Sequence, residues 1–349
     1  MRNLIRVLIA DDSAFMRRVI SDLINSDPEL QVIATARNGV EALELIKKLD
    51  PDVVTLDIEM PKLNGFETLK EIMRISPKPV VMISHLTQEG ATTTLNCLEA
   101  GAMDFIPKPS GSISLDFAQV AKDLTEKIKM AYYNFKPAKV TLRSKSHRTI
   151  IPTSSFSGVR KDMVVAIGTS SGGPRALKEI IPLLPANFPA GIVIVQHMPP
   201  GFTRSLAERL NNESKIRVKE AEEGDRIEPG LALLAPGNYH LEIEAGGIVR
   251  LNQKPPLWGV RPCVDYMMET IAPLYGERVI GVILTGMGRD GANGMAAIKH
   301  YGGQTIAQDE ETCLVYGMPR AVIERGLADY ILPLHQIPHK IVQLLNQKR

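Results

Sequence analysis

Short apolar runs rich in β-branched residues alternate along this chain with segments whose apolar positions recur every three or four residues. Arg6 to Ala10, Val53 to Leu56, Val80 to Ile83 and Met103 to Ile106 are predicted strands of the first half. Phe15, Val19 and Leu23, with Met16, Ile20 and Ile24, predict one apolar helix face. Strands alternating with helices imply a parallel sheet covered on both faces. The second half repeats the pattern, with predicted strands at Met163 to Ile167, Ile192 to Val195 and Val279 to Leu284. Helices are predicted to follow at Pro174, Phe202 and Gly291. Arg217 to Leu251 reads as hairpins, with Ala245-Gly246-Gly247 as a turn. The expected fold class is α/β, with two doubly wound parallel-sheet domains, the second carrying a β-hairpin insert.

The period fails near Tyr133. From Asn134 to Lys161 there is no acidic residue, whereas Lys136, Lys139, Arg143, Lys145, Arg148, Arg160 and Lys161 are basic. This stretch reads as a solvated linker, with a docking strip for an acidic partner as the sharper alternative. The expected boundaries are 1–125 for the first domain, 126–160 for the linker and 161–349 for the second. The 349 residues are 44% apolar with a net charge of +2, so global charge makes no case for nucleic acid or membrane binding. Neither a signal peptide pattern nor an apolar run of membrane-spanning length is expected. Cys97, Cys263 and Cys313 are widely spaced, which suggests a reducing cytoplasm and neither a zinc site nor a disulfide framework.

In the first half, Asp11, Asp12 and Asp57 fall at strand ends that a parallel sheet sets side by side. Clustered carboxylates need a cation, and an all-oxygen cluster suits Mg²⁺. Ser84 ends another strand, and Lys108 follows the last one. A hydroxyl and an ammonium converging on a carboxylate and a metal can bind a phosphoryl group while Asp57 attacks phosphorus. On this order of residues the first half resembles a response-regulator receiver domain, which is flavodoxin-like in fold. The resemblance implies Asp57 as phosphoacceptor, Asp11 and Asp12 as further Mg²⁺ ligands, and Ser84, Phe105 and Lys108 as the phosphorylation switch. Asn64, before Gly65, stands where many receivers have Asp.

In the second half, Val164 to Gly168 runs into Thr169-Ser170-Ser171-Gly172-Gly173-Pro174. A glycine-flanked serine on a strand-to-helix turn fits the nucleophile elbow G-x-S-x-G, although a plain βα turn or a phosphate cradle uses the same small residues. A serine nucleophile needs a base, and of seven histidines His197 alone follows a predicted strand of this half. His240 enters the expected hairpin, His300 lies near a helix end, and His335 and His339 flank a C-terminal helix. His85 and His147 belong to the receiver-like half and the linker. Asp290 follows a third strand and could orient His197, or could be the N-cap of the helix at Gly291. Glycines 286, 288 and 291 leave backbone N–H groups accessible to an oxyanion.

The segments IGTSSGG, QHMPPGFT and LTGMGRDG, with AQDEETC and YGMPRAV towards the end, resemble the motifs of the CheB family, chemotaxis protein-glutamate methylesterases with an N-terminal receiver. The resemblance spans essentially the whole chain. It implies a cytoplasmic, phosphorylation-regulated serine hydrolase that demethylates glutamyl esters, and deamidates glutamines, on methyl-accepting chemotaxis receptors. It implies Ser170 as nucleophile, His197 as base and Asp290 as its partner. Ser171 is then the neighbouring hydroxyl, and Met287 supplies an oxyanion-hole N–H. The implied partners are a chemotaxis histidine kinase as phosphodonor and the receptors as substrates. The hydrolytic step is expected to need no cofactor. Cys263 and Asn238 depart from the pattern, standing where Ser and Gly are expected. The rival expectations are a DNA-binding output domain and an interaction module with a dead active site.

Overall fold

The computed structural model describes residues 4–108, 117–135 and 162–347. The chain divides into two compact units, Met1–Lys145 and Ser146–Arg349. The basic stretch from Lys136 to Lys161, read from sequence as a linker, lies outside the described residues.

The first unit runs β1 (Ile5–Ala10), α1 (Ala14–Asn25), β2 (Leu30–Ala36), α2 (Gly39–Leu49), β3 (Val53–Asp57), α3 (Gly65–Ile75), β4 (Val80–Ser84), α4 (Gln88–Ala100), β5 (Asp104–Pro107) and α5 (Phe117–Asn134). Its sheet has the order β2-β1-β3-β4-β5, and every pairing is parallel. The inner strands β3 and β4 are buried along their whole length, as a sheet covered on both faces requires. Two expectations are corrected here. Phe15 does not share the buried face of α1: Met16, Ile20, Leu23 and Ile24 are buried, but Phe15 is 68% exposed. The two sets of apolar residues differ by one position, which turns a helix face by about 100°. Helix α5 also continues to Asn134, because Leu124, Ile128 and Ala131 extend its buried stripe, so a linker cannot begin at residue 126.

The second unit runs β6 (Val164–Thr169), α6 (Gly173–Ile180), β7 (Gly191–Gln196), α7 (Phe202–Glu213), β8 (Arg217–Glu220), β9 (Leu231–Leu234), β10 (His240–Glu244), β11 (Ile248–Asn252), α8 (Val264–Tyr275), β12 (Val279–Ile283), α9 (Ala292–His300), β13 (Gln304–Gln308), α10 (Met318–Glu324), β14 (Tyr330–Leu332) and α11 (Ile337–Gln347). Seven of these strands form a parallel sheet in the order β14-β13-β12-β6-β7-β9-β8. Only β10 and β11 make the expected hairpin, antiparallel around Ala245-Gly246-Gly247. The expectation of hairpins from Arg217 onwards is therefore corrected: β8 and β9 pair parallel within the main sheet. Leu231–Leu234 is buried at every position, a pattern that suits a strand covered on both faces rather than one side of a hairpin.

The strand order places β6 between β12 and β7. Registers bring Thr169 beside Gln196, and Gly168 beside Ile283. The residues that follow these three strands thus emerge together at the carboxyl edge of the sheet, where open α/β sheets bind ligands.

Candidate active site

Ser170 follows β6 directly, and His197 follows β7 directly. The turn at Ser170 is tied down on three sides. Its N–H donates to the Thr285 carbonyl (3.1 Å), and its own carbonyl accepts from Gly173 N (2.8 Å) and from Gln196 Nε2 (2.9 Å). Gln196 Nε2 also donates to the His197 carbonyl (3.2 Å), so one amide binds the backbones that carry both residues. Thr285 takes a further share: its hydroxyl donates to the Ser171 carbonyl (2.9 Å), and its carbonyl accepts from Thr169 Oγ1 (2.8 Å). Glycine is required where these turns meet. A β-carbon on Gly286 would lie 2.4 Å from Met318 Sδ and 2.8 Å from Ser170 Cβ, both too close for real atoms. Gly172 sits at φ +79°, in the left-handed region that favours glycine.

His197 Nε2 lies 2.8 Å from Asp290 Oδ2. An ionised carboxylate accepts only, so Nε2 carries the proton, and Nδ1 is the ring nitrogen left free to act as a base. Asp290 is buried and its two oxygens are fully engaged. Oδ2 also accepts from Val264 N (2.7 Å), and Oδ1 accepts from Asp265 N (2.9 Å), Gly291 N (2.8 Å) and the Cys263 thiol (3.1 Å). Burial alone would push this carboxyl up. The His197 ring and the N–H groups of Val264 and Asp265 outweigh burial and hold the group below the usual carboxylate range. The N-cap expectation is thereby corrected in part. The N-cap of α9 is Gly291, with no side-chain cap, and the Asp290 carboxylate instead satisfies the first N–H groups of α8.

A second buried acid braces this arrangement. Asp265 Oδ1 accepts from Gly294 N (2.8 Å), tying α8 to α9, and Oδ2 accepts from Trp258 Nε1 (3.0 Å). Burial, and then the nearby Asp290 charge, raise the Asp265 carboxyl above its ordinary value. Ser171 is buried, whereas Met287 is half-buried in the loop between β12 and α9. Gly286, one residue before Met287, is held by hydrogen bonds from its N–H to Val315 O and from Gly317 N and Met318 N to its carbonyl. His240 is buried with Nε2 at 3.2 Å from the Pro255 carbonyl, a structural placement in the hairpin.

In the first unit Asp57 ends β3, Ser84 ends β4, and Lys108 follows β5. Lys108 Nζ lies 2.7 Å from Asp57 Oδ2 and 3.5 Å from Asp11 Oδ2. Carboxylate oxygens of Asp11, Asp12 and Asp57 lie within 4.8 Å of one another. Asp11 Oδ2 is buried, with the Lys108 ammonium at 3.5 Å and no closer hydrogen-bond donor among the described residues, so it keeps acceptor capacity for a cation. This donor set fits Mg²⁺. Burial pushes Asp57 up to about 6, aided by the Asp11 charge and opposed by Lys108. Ser84 Oγ accepts from Thr94 Oγ1 (2.8 Å) on α4. The Phe105 ring is buried with Lys127 Nζ 5.4 Å from its centroid, and Lys127 donates to the Phe105 carbonyl (2.8 Å). Asn64, the departure noted in sequence, caps α3 by accepting from Glu67 N (2.9 Å).

The structure thus brings Ser170, His197 and Asp290 to neighbouring strand ends, and gathers the receiver residues in the other unit. Sequence reading passed over the Asp290 partners on α8, the Gln196 bridge, and the contacts of Thr94 and Lys127. Their signals are weak because each acts through a long-range contact that the local pattern does not encode.

Comparison with known proteins agrees with this division. Residues 165–341 match the CheB methylesterase family, and residues 7–117 match the response regulator receiver domain. A protein-glutamate methylesterase/protein-glutamine glutaminase of Pyrococcus abyssi is 51% identical over 99% of this chain and 95% of its own length. The protein of the same name from Thermotoga maritima is 51% identical, covering 98% of each chain. The crystal structure of the Thermotoga maritima CheB methylesterase catalytic domain is 52% identical, covering 52% of this chain and 98% of that one with a TM-score of 0.51.

Proposed function

The chain belongs to the CheB methylesterase family, and from that premise we propose that it hydrolyses glutamyl methyl esters and glutamines of chemotaxis receptors by a Ser170–His197–Asp290 triad under control of Asp57 phosphorylation. Relatives about 51% identical and covered over nearly their whole length are named protein-glutamate methylesterase/protein-glutamine glutaminase. The observation that carries the triad is the His197–Asp290 contact at 2.8 Å beside a serine elbow on the neighbouring strand.

In this reading Ser170 Oγ attacks the ester carbonyl while His197 Nδ1 takes its proton. Asp290 holds the ring through Nε2 and stabilises the imidazolium that forms. The N–H of Met287, one residue after the Gly286 that packs against Ser170, is assigned to the developing oxyanion. The imidazolium returns its proton to the leaving methoxide, and methanol departs. Water, deprotonated by the same ring, then cleaves the acyl-enzyme and leaves a carboxylate on the receptor. A glutamine side chain follows the same route and releases ammonia. In the receiver, Asp11, Asp12 and Asp57 would hold Mg²⁺, which when bound neutralises charge on the transferring phosphoryl group. Asp57 is the nucleophile towards a histidine-kinase phosphodonor. Lys108 and Ser84 bind the added phosphoryl oxygens, and Ser84 and Phe105 shift as a switch. A cytoplasmic location fits this cycle, and among the described residues no helix is long and apolar enough to cross a membrane.

The test is methanol release from methylated receptor membranes, with Mg²⁺, with and without a small-molecule phosphodonor. Wild type is expected to release methanol faster with the donor. Asp57→Asn should keep basal release but lose the stimulation, and Ser170→Ala should fall by about 10⁴ or more in both conditions. Undiminished release by Ser170→Ala would overturn the triad, and donor stimulation of Asp57→Asn would overturn the control.

A further inference from the structure

The cations at the rim of the esterase sheet are nearly all committed. Arg175 pairs with Glu179 (3.6 Å) and Arg204 with Glu220 (3.3 Å). Arg261 donates to the Asn238 side chain and to the carbonyls of Gln253 and Lys254. Arg289 differs. It directly precedes Asp290, follows Met287-Gly288, and is exposed. Its guanidinium carbon lies 4.0 Å from the ring centroid of Trp258, and among the described residues it has no carboxylate partner.

The perch under Arg289 is itself built. Trp258 is the sole tryptophan of the chain, and the residue is 43% exposed, with the Arg289 guanidinium lying over its ring. Its backbone sits at φ +58°, a left-handed conformation that a bulky residue rarely adopts and that persists only where surroundings enforce it. Here the surroundings are a tight turn in which Trp258 and Gly259 are the two central residues, closed by Val260 N donating to the Leu257 carbonyl (3.0 Å), and the indole N–H donates to the buried Asp265 carboxylate (3.0 Å). Asp265 in turn is fixed by α8 and α9, the same two helix starts that hold Asp290. The cation is thus parked on Trp258, one residue before Asp290, with its N–H edge uncommitted among the described residues. A stacked guanidinium keeps that edge free for planar, bidentate pairing with a carboxylate.

We infer that Arg289, held on Trp258, is a specificity-determining residue that pairs with a carboxylate side chain of the substrate protein flanking the glutamyl group being hydrolysed. The inference rests on the reading of Ser170, His197 and Asp290 as the active site, and it names the chemistry of the substrate around that site: acidic. Binding energy spent there places the ester over Ser170 without touching the reacting atoms. Because the pairing is at an exposed rim, it should be modest and strongly screened by salt.

The experiment uses the full chain and two helical peptides carrying one glutamyl γ-methyl ester, flanked on the same helix face by Glu in one and by Gln in the other. Wild type is expected to favour the Glu-flanked peptide by about three- to tenfold in kcat/KM, carried by KM, with the preference collapsing in about 1 M salt. Arg289→Gln should bring the ratio close to one, and Arg289→Glu should invert it. A ratio near one in wild type, or an unchanged ratio in Arg289→Gln, overturns the inference. It leaves the triad standing, since that reading stands or falls on Ser170→Ala. Binding without turnover gives a second measurement. In Ser170→Ala, Trp258 fluorescence should respond to the Glu-flanked ester at lower concentration than to the Gln-flanked one. If fluorescence instead reports tight binding only of the hydrolysed peptide, whatever its flanks, Arg289 holds the product carboxylate and flank recognition is refuted.

Discussion

Asp290→Asn separates the two duties that the structure gives one carboxylate. Asn has one acceptor oxygen and one donor NH2, whereas all five groups around Asp290 are donors: His197 Nε2, Val264 N, Asp265 N, Gly291 N and Cys263 Sγ. The less costly orientation keeps the amide oxygen where Oδ1 accepts from Asp265 N and Gly291 N. The NH2 then faces His197 and Val264 N. One buried backbone donor is left without an acceptor, costing about 1–3 kcal/mol. For a unit of this size that lowers the Tm by about 3–10 °C. The effect on catalysis is larger. An NH2 opposite Nε2 forces that nitrogen to accept, so the ring proton moves to Nδ1, the atom that must take the serine proton. The expected fall in kcat is about 10³–10⁴, less than the roughly 10⁶ that loss of the base itself brings in His197→Ala. The assay is methanol release under saturating substrate, paired with thermal unfolding of the same preparations. A kcat within tenfold of wild type alongside the lowered Tm would refute the tautomer argument and leave Asp290 as a cap for α8 alone.

Other outcomes follow from particular contacts. Gly286→Ala places a methyl 2.4 Å from Met318 Sδ and 2.8 Å from Ser170 Cβ, so kcat should drop by about 10² or more while the far-ultraviolet circular dichroism is kept; near-normal turnover would show that the loop yields freely. Ser171→Ala should retain activity within about tenfold, because it keeps the Ser170 hydroxyl and the Ser171 carbonyl that accepts from Thr285 Oγ1; a loss equal to that of Ser170→Ala would move the nucleophile assignment. The pH dependence of the receiver has a defined sign. Asp57 is raised to about 6 in the folded chain, from an ordinary 3.8, so between those values the folded state holds the proton more tightly than the unfolded state. With metal chelated, the receiver transition should therefore rise in temperature as pH falls from 7 towards 5, and Asp57→Asn should flatten that rise; a wild-type transition that falls over the same range would contradict the crowding of Asp57 by burial and by Asp11.

Much of this protein is set by local sequence. Alternating apolar runs and amphipathic segments specify two parallel α/β units, because a strand covered on both faces must be apolar throughout and its crossover helix apolar on one stripe. The residues proposed to carry the chemistry are legible by position: Asp57, Ser84, Lys108, Ser170 and His197 stand at or just past strand ends, Asp290 lies in the loop that follows β12, and parallel sheets gather those ends at one edge. What sequence could not decide was always a matter of partners far along the chain. Leu231–Leu234 reads as part of a hairpin until β7 and β8 are seen to flank it in parallel. Phe15 reads as core until the sheet selects the neighbouring face of α1. Asp290 looks like the cap of the helix it precedes, and the fold turns it instead to α8, which begins 26 residues earlier. The ring nitrogen of His197 that meets Asp290, and the tryptophan that seats Arg289, are likewise fixed only when α8, α9 and the strand ends converge. Local propensity selects elements within a few residues; hydrogen-bond partners across the sheet are selected by packing, which no window of sequence contains.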